Sequence, residues 1–344
     1  MNNNNNNLEI FKFISPFSND RLSSFDNNDL KQFLLLLEKY YLEMRNVLGI
    51  DKNITFGMEL EFIYASFEPI NRNLKLINDS WYVKEEIIYD DGGEIATPPL
   101  NDSSKNWYDF ATACDIAKCY SNYANKCGGH IHIGSQIFED NSNYWLNFIL
   151  FWATYEHIAF RFGYGELLTG RHQLLEYAFP VKDILNNAYI LHSNKNSFLK
   201  DIIKSINYGR NQAINFQNVK TPIINNDKNF EENNTIEFRF FNGTYDSIIW
   251  QNNVLFAVKM LEYAKSSRFD LELVCSRNDG LFWKKFDLAS YNKIYLRQAL
   301  ELADLIYTNN LDKIYFLRQY FKSFEIGSEY GMLAKPFTRK KINN

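Results

Sequence analysis

Two histidines stand one residue apart in the segment CGGHIHIG, residues 127–134. Apolar residues alternate with them, which predicts a strand with His130 and His132 on one face and isoleucines on the other. Two imidazoles on the same side of a strand can bind a metal ion or a phosphate group. Histidines in a strand are also found as ordinary hydrogen-bonded core residues, and the segment alone leaves both interpretations open.

Two further strands carry charged groups at the same two-residue spacing. Glu59 and Glu61 share a face of FGMELEF. Glu237 and Arg239 share a face of TIEFRFF. Residues two apart on a strand are separated by about 6.5 Å, so paired carboxylates can serve cations that lie about 3.5–4 Å apart. Either pair alone is also typical of a solvent-exposed strand face, but one sheet could collect all three pairs on the same face.

The elements that would position these residues are predicted from local patterns. A helix is expected over residues 28–49, with Asn28 or Asp29 as its cap and Gly49 at its end. Strands are expected at residues 54–64, in 81–100 as far as Pro98 and Pro99, at 127–134 and in 234–244. Helices are expected in residues 107–126, 145–162, 247–267, 291–308 and 311–324. Loops and short pieces are expected between 163 and 234.

Bulk properties exclude several classes of protein. A chain of 344 residues, 46% of them hydrophobic, can bury a large core, and its net charge of −4 gives no general attraction to nucleic acid. The four cysteines form no CxxC pair, which predicts reduced thiols and a cytoplasmic protein. The start MNNNNNN is unlike a signal peptide and predicts a disordered tail. The apolar segment 145–160 is short for a bilayer span and contains Glu156, so no membrane segment is expected.

The motifs, taken in order, resemble the putative amidoligases, a family of glutamine-synthetase-like carboxylate–amine ligases. The resemblance rests on FGMELEF, GGEIATPPL, CGGHIHIG, GRNQAIN and TIEFRFFNGT, over about residues 54–246. It implies an α+β fold with a curved antiparallel β-sheet of the glutamine-synthetase-like type and flanking helices. The resemblance does not cover the N-terminal tail or the last hundred residues, where local patterns predict a mainly helical C-terminal region. The expected organisation is a partly disordered tail at 1–27, a catalytic domain at 28–265 and a helical region at 266–344 packed on it.

The resemblance also implies that the concave face of the sheet binds ATP and two or three divalent cations, Mg²⁺ or alternatively Mn²⁺. The implied metal ligands are Glu59, Glu61, Glu94, His130 and Glu237. The implied ATP-binding residues are His132, Arg210, Asn215, Arg239 and Glu237. Arg239 would stabilise the transferred phosphoryl group, and Arg210 would contact phosphate or substrate unless it merely caps the turn after Gly209.

A carboxylate that helps to bind or deprotonate the amine is also expected from the resemblance. Glu86 best matches a position at which the family commonly has aspartate, with Asp90 and Asp91 as nearby alternatives. Glu156 and Arg171 match the general layout of the family more weakly. For Glu156, a buried helix-packing carboxylate with a partner is the favoured interpretation.

The implied activity joins a carboxylate to an amine, both small molecules or peptides, through an acyl phosphate made from ATP. A zinc-dependent hydrolase that uses His130, His132 and a glutamate is one alternative, against which the surplus of carboxylates argues. A binding module with a decayed ligase site is another, against which the intact acidic positions argue. Neither the two substrates nor the oligomeric state follows from the sequence, and no nucleic-acid or membrane partner is expected.

Overall fold

A computed structural model describes residues 3–15, 21–86, 91–122, 127–138, 141–164, 177–188, 195–207, 209–219, 234–278, 295–321 and 338–339. Helices α1 to α11 span Asn3–Ile14, Asn27–Glu38, Phe67–Ile77, Ser104–Tyr120, Ser142–Tyr164, Val181–Ala188, Lys195–Ile206, Ser247–Lys265, Leu271–Asn278, Leu296–Ile306 and Asn310–Tyr320. Strands β1 to β8 span Leu42–Glu43, Phe56–Phe62, Tyr82–Glu86, Gly92–Ala96, Gly128–Gly134, Ile214–Asn215, Thr235–Asn242 and Thr338–Arg339. The predicted α+β class is confirmed.

Six of these strands form one open sheet in the order β3–β4–β2–β5–β7–β6, and every neighbouring pair is antiparallel. β1 and β8 form a separate parallel pair. The three strands predicted from the two-residue motifs are β2, β5 and β7, which lie side by side in the middle of the sheet. The antiparallel sheet expected from the sequence is therefore present.

The register of the sheet brings the charged motifs together. The aligned pairs are Glu61 with Glu94, Glu59 with His130, and His132 with Glu237. Residues directly opposite one another in neighbouring strands point to the same side of a sheet. These six residues therefore define one surface, called the polar face below.

The other side of the sheet is apolar and carries the core. Its buried residues include Met58, Leu60, Ile131, Ile133, Ile236 and Phe238. Helix α5 packs on β7 and helix α8 packs on β5, and these two helices also pack against each other. The core thus supports the middle strands from behind and leaves the polar face on the side away from α5 and α8.

A β-bulge in β7 explains why the motif EFRFF breaks strict alternation. The pairing with β5 shifts between Gly129 and Ile131, which lie opposite Phe241 and Phe238, respectively. Phe240 and Phe241 are both buried, and both rings lie next to Gly163 of α5. The extra residue allows two consecutive phenylalanines to pack towards the helices.

The close packing of β5 against Trp250 requires a glycine at position 129, and replacement of Gly129 tests this explanation. A Cβ at Gly129 would lie 2.9 Å from the Trp250 ring, and the indole is held in place because its Nε1 donates to Thr244 O at 2.8 Å. Gly129→Ala is expected to lower the free energy of unfolding by about 1–3 kcal/mol through overpacking, as measured by urea unfolding. The control is Gly57→Ala, whose Cβ would meet no atom closer than 3.8 Å. Equal stability of the two variants would contradict this explanation.

Helix α2 differs from its predicted bounds. Its cap is Asp26, whose carboxylate accepts from the amides of Asn28 and Asp29, so the prediction of Asn28 or Asp29 as the cap is wrong. The helix ends at Glu38 rather than Gly49, because the chain then turns to bury Tyr40 and Leu42 in the core.

The turn at Gly49 is formed by a different interaction. Gly49 has φ of 78°, and the Asp102 carboxylate accepts hydrogen bonds from the amides of Leu48, Gly49 and Ile50. The sequence predicted this glycine as a helix end, whereas in the structure it supplies the left-handed conformation of a turn outside any helix. A distant aspartate, invisible to the local pattern, holds the turn instead.

Two helices in the first hundred residues were not predicted from the sequence. The asparagine run, expected to be a disordered tail, lies largely within α1, where Ile10 and Ile14 are buried. Helix α3 buries Ile70 and Leu74 next to the β3–β4 hairpin. The predicted domain boundaries stay a prediction, although α9, α10 and α11 do contact α5 or α8. Within the described residues, no helix is long and apolar enough to cross a membrane.

Candidate functional site

His130 lies at the centre of the polar face. Its side chain is only 4% exposed. Its Nδ1 atom is 3.0 Å from Glu59 Oε2 and 3.7 Å from Glu237 Oε1. Its Nε2 atom is 3.5 Å from Glu61 Oε1. One imidazole is thus surrounded by three carboxylates from two strands, and its role as a metal ligand stays a prediction.

His132 also contacts Glu59, the carboxylate that lies nearest to His130 Nδ1. Its Nε2 atom is 3.1 Å from Glu59 Oε1, and its Nδ1 atom is 3.2 Å from the Thr235 hydroxyl. The hydroxyl contact orients the ring so that Nε2 points towards Glu59. Potential ligand atoms of Glu59, His132 and Glu237 all lie within 4.8 Å of one another.

These residues fit a divalent cation. The Nε2 atoms of His130 and His132 are buried and have no hydrogen-bond partner of good geometry among the described residues. An unsatisfied buried ring nitrogen calls for an explanation, and a metal ion would supply one. Carboxylate oxygens suit Mg²⁺ and Mn²⁺, and imidazole nitrogen suits transition metals better than Mg²⁺.

Glu61 and Glu94 extend the cluster towards the β3 edge of the sheet. Glu61 Oε2 accepts a 2.6 Å hydrogen bond from the Gly128 amide, which fixes the carboxylate at the start of β5. Glu94 lies opposite Glu61 in β4, and the Lys84 ammonium of β3 lies 3.5 Å from Glu94 Oε1. The glycine before the histidine motif therefore has a role, since its backbone amide holds an acidic residue of the site.

Three residues of the polar face, Glu94, Glu59 and His132, have perturbed pKa values. Burial and the charge of Glu59 together raise the pKa of Glu94 to about 7, although Lys84 opposes the shift. Burial also acts to raise the pKa of Glu59, but the two histidines outweigh it and hold that pKa well below its usual range. For His132, burial acts to lower the pKa, but the contact with Glu59 raises it overall. Such perturbed values are typical of functional sites.

Arg239 borders the cluster on β7. Its guanidinium donates a hydrogen bond to Glu237 Oε1, and its side chain is 17% exposed. The Arg239 amide donates to Ala213 O at 2.9 Å, which ties β7 to the segment before β6. The arginine is therefore held beside a candidate metal ligand, with part of its surface accessible to a bound group.

The structure gives Arg210 and Asn215 local contacts. Asn215 lies opposite Glu237 in the sheet, but its amide donates to Arg210 O at 3.2 Å and its carbonyl accepts from the Gln217 amide at 2.7 Å. The Arg210 side chain is exposed. Their binding roles stay predictions, because the described contacts stabilise a turn.

Some predicted residues lie outside what the structure describes. Glu86 ends β3 opposite Gly92, and its side chain is outside the described part. Asp90 and Arg171 are also outside the described residues. Asp91 is exposed, with φ of 49°. The identity of the amine-activating carboxylate stays a prediction.

A cavity of about 340 Å³ lies beside the cluster, at the end of the sheet where β2 begins and β5 ends. Glu59, His132 and Lys84 contribute its charged groups, and Gly57 leaves space on its floor. Its neutral polar lining consists of Thr55, Thr97, Gln136, Asn218, Asn234 and Thr235. The cavity thus offers metal ligands at one side and uncharged hydrogen-bonding groups elsewhere.

Two residues of this site were missed in the sequence. Thr235 contacts His132, and Lys84 contacts Glu94. A signal was present for both, because Thr235 lies two residues before Glu237 and Lys84 lies two residues before Glu86. The same spacing that grouped the acidic residues would have assigned both to the polar face.

Glu156 lies away from this site and has a structural partner. Its carboxylate, buried in α5, accepts hydrogen bonds from Trp152 Nε1 at 2.8 Å and from the amides of Val181 and Lys182 at 2.7 and 3.0 Å. These two amides begin helix α6, so Glu156 caps that helix from another element. This agrees with the interpretation of Glu156 as a buried packing carboxylate.

The burial of Glu156 predicts a pH-dependent stability. Burial raises the pKa of Glu156 from 4.5 to about 7, although the three hydrogen bonds oppose the shift. The protonated form is therefore favoured by folding, and its stabilisation is complete below pH 4.5 and lost as the pH rises to about 7. Relative to Glu156→Gln, the wild-type free energy of unfolding should fall by roughly 3 kcal/mol across this window. Parallel urea titrations at pH 5 and pH 8 test this, and a constant difference between the two proteins would contradict it.

The fold and the polar face define an α+β protein with an acidic, histidine-containing candidate metal site beside an arginine. Residues 92–261, just under half of the chain, match the family described as putative amidoligase enzyme. The resemblance predicted from the motifs is thereby confirmed, and the family supports a ligase that forms carbon–nitrogen bonds. A search of curated proteins found no match.

The family match covers only part of the polar face. The match begins at Gly92, so Glu59 and Glu61 of β2 lie outside it. In the sheet, however, β2 lies between β4 and β5, both of which fall within the matched segment. The preceding motif is therefore part of the same polar face.

Proposed function

We propose that the protein is an ATP-dependent carboxylate–amine ligase of the glutamine-synthetase-like type. The observation that carries the proposal is the convergence of Glu59, His130 and Glu237 on one point of an antiparallel sheet, with Arg239 beside them. A site that transfers a phosphoryl group needs cation ligands and a fixed positive group together. The match of residues 92–261 to the amidoligase family supports the same class of reaction.

The acidic residues would hold two divalent cations. Glu59, His130 and Glu237 are the ligands proposed for one ion, and Glu61 with Glu94 for the other. Bound Mg²⁺ or Mn²⁺ would offset the charge that phosphate oxygens bring into an acidic site. Without such ions, these four carboxylates would repel the triphosphate.

ATP is proposed to occupy the cavity next to His132. The phosphates would lie at the side of Glu59 and His132, and the neutral threonine and amide groups would face the rest of the nucleotide. Arg239 would contact the transferred phosphoryl group, since a guanidinium fork fits phosphate oxygens. Arg210 and Asn215 are proposed as further contacts to phosphate or substrate.

The proposed reaction has two steps. A carboxylate oxygen forms a bond to the γ-phosphorus as the bond to ADP breaks, giving an acyl phosphate. The amine nitrogen then bonds to the acyl carbon, phosphate leaves with the electron pair of the broken C–O bond, and a base takes the proton from nitrogen. Glu86 is the proposed base, and the product is an amide or isopeptide bond.

Calorimetric titration of metal-stripped protein with ATP tests the proposal. ATP should bind in the presence of Mg²⁺ or Mn²⁺ and bind at least about 10-fold more weakly with chelator, because the acidic cluster then repels the phosphates. Hydroxylamine should trap the acyl phosphate formed from an accepted carboxylate as a hydroxamate.

Binding of Zn²⁺ without binding of ATP is the result that would contradict the ligase proposal. The Nε2 atoms of the two histidines, which form no hydrogen bond of good geometry among the described residues, are also suitable zinc ligands. Tight retention of Zn²⁺ with no ATP binding under any metal condition would overturn the ligase proposal and favour the zinc-dependent hydrolase.

A further inference from the structure

Lys84 is a cation on the polar face that no motif explains. It lies in β3, the strand at one edge of the sheet, directly opposite Glu94 of β4. Its side chain is 47% exposed, whereas that of Glu94 is 11% exposed. The ammonium thus extends from the edge of the sheet over a nearly buried carboxylate.

The contact between Lys84 and Glu94 leaves donors of the ammonium group without an acceptor among the described residues. An ammonium has three donors, and among the described residues Lys84 Nζ has one acceptor, Glu94 Oε1, at the long distance of 3.5 Å. A half-exposed ion pair of this kind contributes little to stability. Its main consequence is local, because it places a positive charge where a metal ion bound by Glu94 would otherwise lie.

Lys84 also faces the proposed nucleotide site. It lines the cavity together with Glu59 and His132. Arg239 is held by Glu237 on β7, whereas Lys84 lies on β3, four strands away, which corresponds to about 19 Å across the sheet. The two cations therefore reach different parts of a bound ligand.

We propose that Lys84 alternates between two partners, Glu94 in the metal-free protein and a phosphate oxygen of the bound nucleotide once a divalent cation occupies Glu94. The inference rests on the proposed function and adds a nucleotide-binding residue to it. Lys84 competes with the cation for Glu94 in the free protein. It then supports the phosphates after the cation has displaced it, since a flexible ammonium can turn to a new acceptor.

The test measures two affinities that should change in opposite directions. In Lys84→Met, Mn²⁺ alone should bind roughly 2- to 5-fold more tightly, because its competitor is gone. ATP with saturating Mn²⁺ should bind about 10-fold more weakly, because one charged contact is lost. Tripolyphosphate should show the same loss, and adenosine should show none. Calorimetry gives all four values without any turnover.

Two further variants serve as controls. Lys84→Arg keeps the charge and should restore most of the ATP affinity, which also excludes misfolding as the cause. Lys105→Met removes an equal charge from a lysine that pairs with Asp109 on α4, and should change neither affinity. Unchanged or jointly weakened affinities in Lys84→Met would overturn the inference while leaving the ligase proposal intact. A wild-type protein that binds neither Mn²⁺ nor ATP would overturn both.

Discussion

Replacement of Glu237 by glutamine is expected to abolish metal-dependent ATP turnover, with a loss of at least about 100-fold, since loss even of groups that only orient metal ligands has effects of this size. Glu237 lies within 4 Å of His130 and contacts Arg239. The amide of glutamine can still accept from Arg239 but is a far weaker ligand for a hard cation. The measurement is ADP release with Mg²⁺ or Mn²⁺ in the presence of an accepted carboxylate.

The same variant should keep its fold. Four carboxylates share the polar face with few cations, so removal of one negative charge relieves repulsion. The melting temperature of metal-free Glu237→Gln should equal or exceed that of the wild type, whereas the increase on adding Mn²⁺ should be lost. Glu85→Gln removes an equal charge from an exposed residue of β3 on the opposite side of the sheet, and should retain both turnover and the Mn²⁺ response. Turnover in Glu237→Gln near the wild-type level would contradict the assignment of Glu237 as a metal ligand.

The central part of the site could be predicted because its residues belong to strands. Alternation along a strand places residues i and i+2 on one face, whichever strand lies next to it. Glu59, His130 and Glu237 were therefore assigned to potential binding faces before any pairing was known. Their meeting point could not be derived from alternation, because it depends on the register between strands that are far apart in the chain.

The less predictable parts of the fold depend on distant partners. Gly49 looks like a helix end in the sequence, but Asp102 from another segment forms its turn. Glu156 looks like a candidate site residue, but the start of α6 uses its carboxylate. In both positions a side-chain carboxylate satisfies backbone amides across the chain, and no local pattern encodes which amides it will meet.

Lys84 and Thr235 were not recognised as site residues in the sequence for a different reason. Both satisfy the two-residue spacing, yet lysine and threonine are common on exposed strand faces and carry little information alone. Their significance follows only from their neighbours, Glu94 and His132. Supporting residues of a site are therefore harder to recognise in a sequence than the residues they orient.

Replacement of Arg239 by glutamine is expected to slow phosphoryl transfer about 1,000-fold, the lower end of the range for an arginine that stabilises the transferring group. ATP affinity with Mn²⁺ should change less than about 10-fold, since the arginine acts mainly on charge that develops in the transition state. Arg239→Lys should recover only part of the rate, because an ammonium lacks the planar fork. Single-turnover ADP formation and calorimetry measure the two quantities separately.

A matched control for Arg239 exists on the helical side of the protein. Arg277 of α9 also donates to a glutamate, Glu301 of α10, and this pair is not on the polar face. Arg277→Gln should leave the rate of phosphoryl transfer unchanged. This control distinguishes the loss of any arginine–glutamate pair from the loss of the Arg239–Glu237 pair. Because Arg239→Gln frees Glu237 from its partner, the affinity for Mn²⁺ alone should not fall. A rate that decreases only in proportion to ATP affinity would show that Arg239 binds the nucleotide without stabilising the transition state.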